Sequence, residues 1–335
     1  MEQTPKSRRT AGEFDLIAQV FAPLAAGEPG ALGLLDDAAL LDLPSGRRLV
    51  VTTDTMVEGV HFAAGTAPED VAAKLLRVNL SDLAAMGAEP RAYTLNTAWP
   101  ADLDEAWIRR FGAGLAADQK RYSIRLLGGD TVRTPGPLVL TVTALGLVGR
   151  GEELRRSGAR PGDDVWVSGT IGDGFLGLMA AEGRLSFLDA AMARRLVDRL
   201  ERPTPRLALG RLLAVQGLAT AAADVSDGLL ADLGHICRSS EVAAEVDRER
   251  LPLSAPAQAV LELRPDLRTA LATGGDDYEL VFAARPEAAE GIAAAGTELD
   301  LLLTRIGTIR EGTGVRLLDA EGCDITPDKP GFRHF

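Results

Sequence analysis

Hydrophobic and polar positions change period along the chain, and the changes mark out strands and helices in turn. Arg48 to Asp54 reads Arg-Leu-Val-Val-Thr-Thr-Asp, a β-branched run that predicts a strand. Pro68 to Met86 is built of good helix formers with Pro68 near its first turn, and predicts a helix. Arg91 to Ala98 returns to strand, Leu103 to Arg121 to helix, and Ser123 to Leu127 to a strand feeding Gly128-Gly129-Asp130. Leu138 to Val148 alternates as a long strand, and Phe14 to Leu24 has the spacing of a short amphipathic helix. From Gly149 to Gly162 the composition shifts to Gly, Arg, Glu and Pro, which predicts a domain boundary and hence domains 1–149 and 150–335. Beyond it, Asp163 to Ser168 predicts a strand, followed by a helical segment broken near Gly183 and further helices to about Gln216. Ala219 to Asp224 predicts a strand, Ser226 to Arg238 a helix capped by Ser226 or Asp227, and Glu279 to Ala284 and Gly307 to Leu318 further strands. The order lacks the strict βαβ spacing of a doubly wound sheet, so the expected class is α+β, with helices on one face of a sheet.

A chain of 335 residues is long enough for two domains, each with its own core. Its apolar share of 46% and charged share of 25% are those of a globular protein. The net charge of −12 argues against a nucleic-acid partner, because no basic stripe is available to neutralise a phosphate backbone. An acidic chain that held an anionic ligand would need cations at the site; the same charge serves equally as a solvated surface. Cys237 and Cys323 lie far apart, which predicts neither a disulfide framework nor a zinc site and suits a reducing cytoplasm. Met1 to Phe14 is polar and lacks the apolar stretch of a signal peptide. The uncharged run from Thr134 to Gly149 contains Pro135, Gly136 and Pro137 and reads as strand, so no membrane association is expected.

Candidate chemistry gathers on six segments that end in aspartate, each read as lying where an extended run gives way to a turn or helix. They are Leu35-Asp36-Asp37, Thr52-Thr53-Asp54-Thr55, Asn79-Leu80-Ser81-Asp82, Gly128-Gly129-Asp130-Thr131, Asp224-Val225-Ser226-Asp227-Gly228 and Gly274-Gly275-Asp276-Asp277. Any one of these aspartates is simply a turn former or N-cap. Six together suggest a shared cation, and carboxylate and hydroxyl oxygens suit Mg²⁺, which is bound by a few carboxylates plus substrate phosphates. The segments at Asp82 and Asp227 echo each other, as do Gly128-Gly129-Asp130 and Gly274-Gly275-Asp276, which suggests either a duplicated unit or a recurrent N-cap sequence. No P-loop is present, since none of Lys6, Lys74, Lys120 and Lys329 follows a glycine. Gly169 to Gly174 reads as a strand-to-helix turn before it reads as a phosphate cradle. Arg155-Arg156-Ser157-Gly158 is either a solvated loop or a phosphate clamp.

As a set, these residues resemble the thiamine-monophosphate kinase family of the aminoimidazole ribonucleotide synthetase-like superfamily. The resemblance rests on Gly12-Glu13-Phe14, Asp36-Asp37-Ala38, Thr53-Asp54-Thr55, His61-Phe62, the run Val78 to Ala88, Gly128 to Thr131, Arg156 to Ala159, Asp224 to Leu229 and the closing Gly331 to Phe335. It implies a two-domain α+β architecture, with an N-terminal α/β sandwich-type domain that binds ATP and Mg²⁺ and forms a homodimer, and a C-terminal α/β domain. It implies Mg²⁺ ligation by Asp37, Thr52, Thr53, Asp54, Asp82, Asp130, Asp224 and Asp227, with Asp130 and Asp227 central to catalysis. Gly129, Asp130, Arg156 and Ser226 would contact ATP, with Tyr122 beside the base, and His61, Asp276 and Phe332 would meet thiamine phosphate. Leu35 departs from the family glycine, Asp276 from a glutamate, and Phe332 from another aromatic.

The implied reaction, ATP plus thiamine phosphate giving ADP plus thiamine diphosphate, uses a phosphate oxygen as nucleophile and needs no strong base. Two relatives of the superfamily fit less well. A selenophosphate synthetase would need a reactive Cys near the N-terminus, and a carbamoyl-dehydrating maturation protein a Cys at the extreme C-terminus, whereas Cys323 lies inside the chain. Leu35 keeps open a catalytically silent nucleotide-binding homologue.

Overall fold

The structure, a computed structural model, describes residues 13–35 and 38–332. Within them the chain forms two compact units, each discontinuous in sequence: one drawn from the described residues up to 42 with 53–76 and 90–144, the other from 43–52, 77–89 and 145–332. The division runs through three strands and a helix.

The first part of the chain opens with α1 (Glu13–Leu16), a π turn (Ile17–Phe21) and α2 (Ala22–Ala25), so the expected helix forms with one wide turn inside it. Then come β1 (Arg47–Val57), α3 (Pro68–Ala85), β2 (Glu89–Pro100), α4 (Glu105–Tyr122), β3 (Arg125–Thr134) and β4 (Val139–Gly149). The four strands make one sheet in the order β1-β4-β2-β3. Asp104 caps α4 by accepting the Ala106 N–H at 3.1 Å, and the helix ends on Ser123 in the left-handed region. In the first unit α4 turns Phe111 and Leu115, both fully buried, to the core, and Phe111 stacks on Trp107 and meets Trp99 edge-on. Arg91 closes that unit from the side by a bidentate pair to the buried Glu28 carboxylate, which holds Glu28 below the usual carboxylate range.

Two expectations change here. The strand expected to stop at Leu127 continues through Gly128, Gly129 and Asp130 to Thr134, because β3 stays paired in parallel with β2, Asn96 opposite Asp130. A register shift at Tyr93/Thr94 admits the glycines, and a Cβ on Gly129 would lie 1.9 Å from the Leu95 carbonyl oxygen. Asp54 likewise lies within β1, and Asp82 within α3, a helix buried along most of its length. The echo between the Asp82 and Asp227 segments therefore does not hold: one is helix interior and the other a strand-to-helix loop.

The second unit continues with β5 (Asp164–Ser168), α5 (Asp173–Ala181), α6 (Ala190–Glu201), α7 (Leu207–Gln216), β6 (Ala221–Asp224), α8 (Leu229–Ser240) and β7 (Ala243–Asp247). It ends with α9 (Ala255–Leu263), β8 (Leu280–Ala284), α10 (Ala289–Glu298), β9 (Leu303–Arg310) and β10 (Gly314–Leu318). The single strand expected over Gly307 to Leu318 is two strands, broken by a turn with Gly312 in the left-handed region. Its six-stranded sheet runs β10-β7-β9-β5-β8-β6, antiparallel except for β10 with β7. Helix α8 covers one face through Leu229, Leu230, Leu233 and Ile236, and α7 packs against Phe282 and Leu280 in a separate core cluster. The helix expected from Ser226 begins three residues later, behind Gly228, with no side-chain cap. Asp232 replaces the cap from inside the helix: one carboxylate oxygen accepts the N–H groups of Ser226, Asp227 and Gly228 at 2.9, 3.0 and 3.2 Å.

The turn Gly169 to Gly174 is a strand-to-helix connection, and four of its N–H groups, those of Gly169, Ile171, Gly172 and Gly174, are already filled. The fully buried Asp277 accepts from Gly172 at 2.7 Å and Gly174 at 3.0 Å. Burial pushes the Asp277 carboxyl up to about 8, against the pull of those two donors. An acid raised in the folded state contributes stability that is fully present below about pH 4 and lost as pH rises through about 8. Asp277→Asn cannot ionise, so its melting temperature relative to the parent chain should improve steadily from pH 5 to 8. A Tm difference that stays flat over that range would mean that Asp277 is ionised throughout.

Candidate functional site

Two groups of polar residues stand out, one in each unit. In the first unit, the Gly128–Thr131 stretch of β3 forms one wall of a cavity of about 410 Å³, a size suited to a small-molecule ligand. Phe21, Leu34, Ala38 and Thr97 are among its other lining residues. Its polar edge is ordered: Thr97 and the Trp99 indole both donate to the Thr131 hydroxyl, at 2.9 and 2.8 Å. Asp130 accepts the Thr131 N–H at 2.9 Å. Tyr122, at the end of α4, does not line this cavity; the Arg121 guanidinium lies 5.4 Å from its ring centroid. The loop before Ala38 carries its left-handed residues at Leu32, Gly33 and Leu34, while Leu35 has φ −106° and is 90% exposed. Asp36 and Asp37, which follow it, lie outside the described residues.

On β1, alternation sends Thr53 and Thr55 to an exposed face and Thr52 and Asp54 to the half-buried one. The Thr53 hydroxyl donates to the Val142 carbonyl at 3.0 Å and accepts from Thr143 at 3.1 Å. Past the end of β1, His61 sits in a tight turn whose Gly59 has φ +81°. Its Nδ1 accepts the Val57 N–H at 3.0 Å.

The second unit brings more of the expected residues together. Thr52 donates to Asp82 at 2.5 Å, and the next residue back, Ser81, donates to the buried Asp224 at 2.8 Å. Three chain segments then meet backbone to backbone: Asp276 N–H reaches the Ser226 carbonyl at 2.8 Å, and Phe332 N–H the Asp227 carbonyl at 2.9 Å. Glycine is required at these contacts, since a Cβ on Gly275 would lie 2.4 Å from the Ser226 oxygen, and one on Gly228 2.5 Å from the Thr273 oxygen. Asp276 itself takes φ +68°, a conformation that aspartate tolerates better than most residues, and receives the Tyr278 hydroxyl at 3.3 Å. Arg156 lies on a loop held by Ser240, whose hydroxyl accepts the N–H groups of Gly158 and Ala159 and donates to the Arg156 carbonyl.

Several residues here escaped the sequence reading. Ser81, Ser240 and Asp232 orient the segments that carry the expected residues, yet a hydroxyl or carboxylate turned to backbone looks like any other polar position. Burial and the neighbouring Asp227 charge push the Asp232 carboxyl up to about 7, against its three N–H donors. His235, one helical turn beyond, has its pKa lowered by partial burial and then by Arg156 and Arg238, with Asp227 acting the other way. Among the described residues, no three His, Cys, Asp or Glu side chains converge as an all-protein metal site would require.

Comparison with known proteins accounts for both units. The family model described as AIR synthase related protein, N-terminal domain, matches residues 35–148, and that for the C-terminal domain matches residues 160–319. The chain is 49% identical over 325 residues to thiamine-monophosphate kinase of Caulobacter vibrioides, covering 96% of this chain and 90% of that protein. The crystal structure of thiamine-monophosphate kinase from Stenotrophomonas maltophilia superposes with a TM-score of 0.82 at 47% identity, over 91% of this chain and 96% of that one. AaThiL complexed with AMPPCP and TMP superposes with a TM-score of 0.77 at 32% identity, over 97% of both chains.

Proposed function

The chain belongs to the thiamine-monophosphate kinase family, built from the two AIR synthase related domains, and we infer that it transfers the γ-phosphoryl group of ATP to thiamine phosphate, giving ADP and thiamine diphosphate. The observation that carries this reading beyond kinship is the backbone junction of the second unit. It ties Ser226, assigned to ATP, and Asp227, assigned to metal and catalysis, to Asp276 and Phe332, assigned to the acceptor.

The acceptor oxygen belongs to a phosphate whose second pKa is near 6, so it arrives largely deprotonated. What the residues must do is orient two polyanions for in-line attack and offset their repulsion. Gly129 and Asp130 on β3, with Arg156 and Ser226, are assigned to ATP, and Tyr122 to the side of its base. Asp130 and Asp227 are assigned the catalytic role. His61, Asp276 and Phe332 are assigned to thiamine phosphate, with the Asp276 carboxylate and the Phe332 ring suited to the cationic thiazolium.

The donors fit Mg²⁺. Every proposed side chain (Asp37, Thr52, Thr53, Asp54, Asp82, Asp130, Asp224 and Asp227) offers hard oxygen, and Thr52 with Asp82 already juxtaposes hydroxyl and carboxylate at 2.5 Å. Mg²⁺ commonly takes part of its shell from substrate phosphates and water. When bound, it would neutralise charge on the transferring phosphoryl oxygens.

We also assign ATP and Mg²⁺ binding and homodimer formation to residues 1–149, and a second α/β domain to 150–335. Dimer formation is supported by β1, an edge strand of the four-stranded sheet with Val51 57% exposed. A cytoplasmic location is supported by the two unpaired cysteines, Cys237 buried and Cys323 exposed, and no described helix is long and apolar enough to cross a membrane.

Incubation with labelled ATP, Mg²⁺ and thiamine phosphate should give thiamine diphosphate, while free thiamine, whose alcohol would need a base, should be a poor acceptor. Label retained on ATP with thiamine phosphate present would revive the silent-homologue reading, and efficient phosphorylation of free thiamine would refute this account of the acceptor site. Asp54→Ala and Asp227→Ala should each lower kcat by about 10²-fold or more at saturating Mg²⁺ with little change in Tm. Near-parental turnover in either would remove that residue from the metal set. Sedimentation of the purified chain should give twice the single-chain mass, and a monomer at micromolar concentration would refute the dimer.

A further inference from the structure

The adjacent arginines 155 and 156 part company in the structure. Arg155 is spent on Glu153, whose carboxylate it meets at 2.6 Å and shares with Arg48. Most arginines of the second unit end on a carboxylate in this way, as Arg184, Arg194, Arg248 and Arg316 do. Arg156 meets none within salt-bridge distance among the described residues, and its side chain is exposed. Its main chain is nevertheless fixed, because the Ser240 hydroxyl at the end of α8 takes the Arg156 carbonyl at 3.1 Å and the two N–H groups that follow the turn.

A second guanidinium of the same kind stands on α8 itself. Arg238 is exposed and meets no carboxylate among the described residues. Its side chain runs back toward the N-terminal end of the helix, where Asp227 stands. One terminal nitrogen lies 2.7 Å from His235 Nδ1, and the other lies over Gly234, 3.5 Å from where a Cβ would be. A guanidinium only donates, so Nδ1 accepts and the neutral ring carries its proton on Nε2. Partial burial, then the charges of Arg156 and Arg238, lower the His235 pKa, while Asp227 acts the other way. Both guanidinium groups therefore lie within electrostatic reach of one neutral imidazole. In a chain of net charge −12, two cations gathered on one helix without a carboxylate call for an anion, and the planar fork of arginine matches phosphate oxygens.

We propose that Arg238 is a phosphate-binding residue working with Arg156, and that His235 is the positioning residue that holds its guanidinium. The source of the phosphate rests on the kinase reading: Arg156 is assigned to ATP, so the nucleotide is the ligand expected, with the ester of thiamine phosphate as the other source of the same chemistry. The clamp is then formed by Arg156 and Arg238, far apart in sequence, and not by the neighbours Arg155 and Arg156.

Calorimetric titration of the full chain with inorganic tripolyphosphate and Mg²⁺ tests the clamp without requiring turnover. Arg238→Gln should weaken this binding about tenfold, the loss expected for one charge-assisted contact. No binding by the parent chain overturns the proposal, and so does parental affinity in the variant, with or without a lower Tm. Mg²⁺ with ADP, and thiamine phosphate, separate the sources. A tenfold loss for ADP alone assigns Arg238 to the nucleotide, one for thiamine phosphate alone assigns it to the acceptor, and a loss for neither overturns its place in the site. His235→Leu should weaken tripolyphosphate binding as Arg238→Gln does, and His235→Asn, whose Oδ1 can accept in place of Nδ1, should recover most of it. The double variant Arg238→Gln/His235→Leu should bind no more weakly than Arg238→Gln alone, and additive losses would overturn the positioning role. The kinase reading fails separately. Tripolyphosphate binding that depends on Arg238, in a chain that makes no thiamine diphosphate, keeps the clamp and removes the kinase. Turnover by Arg238→Gln with parental KM for ATP and for thiamine phosphate does the reverse.

Discussion

The buried Glu279 carboxylate is the contact on which the second unit's functional segments hang. It is wholly excluded from solvent and accepts from the Ser168 hydroxyl at 2.6 Å, from Arg199 at 2.8 Å, and from Arg206 at 2.6 and 2.5 Å. A Cβ on Gly169 would lie 2.2 Å from the same carboxylate, so the strand-to-helix turn after β5 is shaped around it. Arg199 also donates to the Asp277 carbonyl at 3.0 Å. Two helices and a strand thereby hold residues 277–279. That stretch pairs through Tyr278 N–H with Val225, and through the Glu279 carbonyl with Val225 N–H, which sets Asp276 opposite Ser226. Burying a carboxylate against two partly exposed guanidinium groups is a poor way to gain net stability, since desolvation offsets much of the attraction, but breaking such a group leaves an uncompensated charge. The group therefore acts chiefly to exclude other arrangements of the 276–279 segment.

A different electrostatic pattern holds around the proposed ligands. Glu279 meets guanidinium groups, whereas the hydrogen bonds shown for Asp82 and Asp224 come from Thr52 and Ser81 hydroxyls, and Asp232 faces backbone N–H groups. Hydroxyls and amides orient a carboxylate without cancelling its charge. In a chain of net charge −12, an anionic nucleotide bound beside carboxylates is best held when cations come with it. Burial first, and then the neighbouring Asp227 charge, raise the Asp232 carboxyl to about 7.

The sequence revealed the long elements and hid their ends. Arg48 to Asp54, Pro68 to Met86 and Leu138 to Val148 each matched an observed element because periodicity and propensity agreed over many residues. Gly128-Gly129-Asp130 reads as a turn because glycine normally weakens a strand; here Gly129 is what lets β3 pass close beneath Leu95. Asp82 falls inside the helix expected over Pro68 to Met86, so the reading of its segment as the end of an extended run fails: burial of Val78 to Ser81 on α3 overrides any local extended preference. The candidate site was legible as a set of motifs, but not as a geometry. Asp277 and Asp232 were hidden because the donors they satisfy are main-chain groups of distant or irregular segments, which leave no residue-type signature.

The absence of a required base changes what the protein must provide. With a nucleophile that is already ionised, rate depends on where groups are held, and fixed dipoles are most useful when they need no reorganisation during the reaction. The second unit meets that demand with main chain. Gly275 lies under Ser226, Gly228 under Thr273, and Gly331 so close to α8 that a Cβ would fall 2.4 Å from that of Ala231 and 2.7 Å from the Asp227 oxygen. Side chains can change rotamer at little cost, whereas a backbone junction with no room for a methyl group has few alternative states. Asp227, Asp276 and Phe332 therefore project from a frame set by glycine and peptide hydrogen bonds. The chemistry proposed for them would then depend on residues with no functional groups of their own.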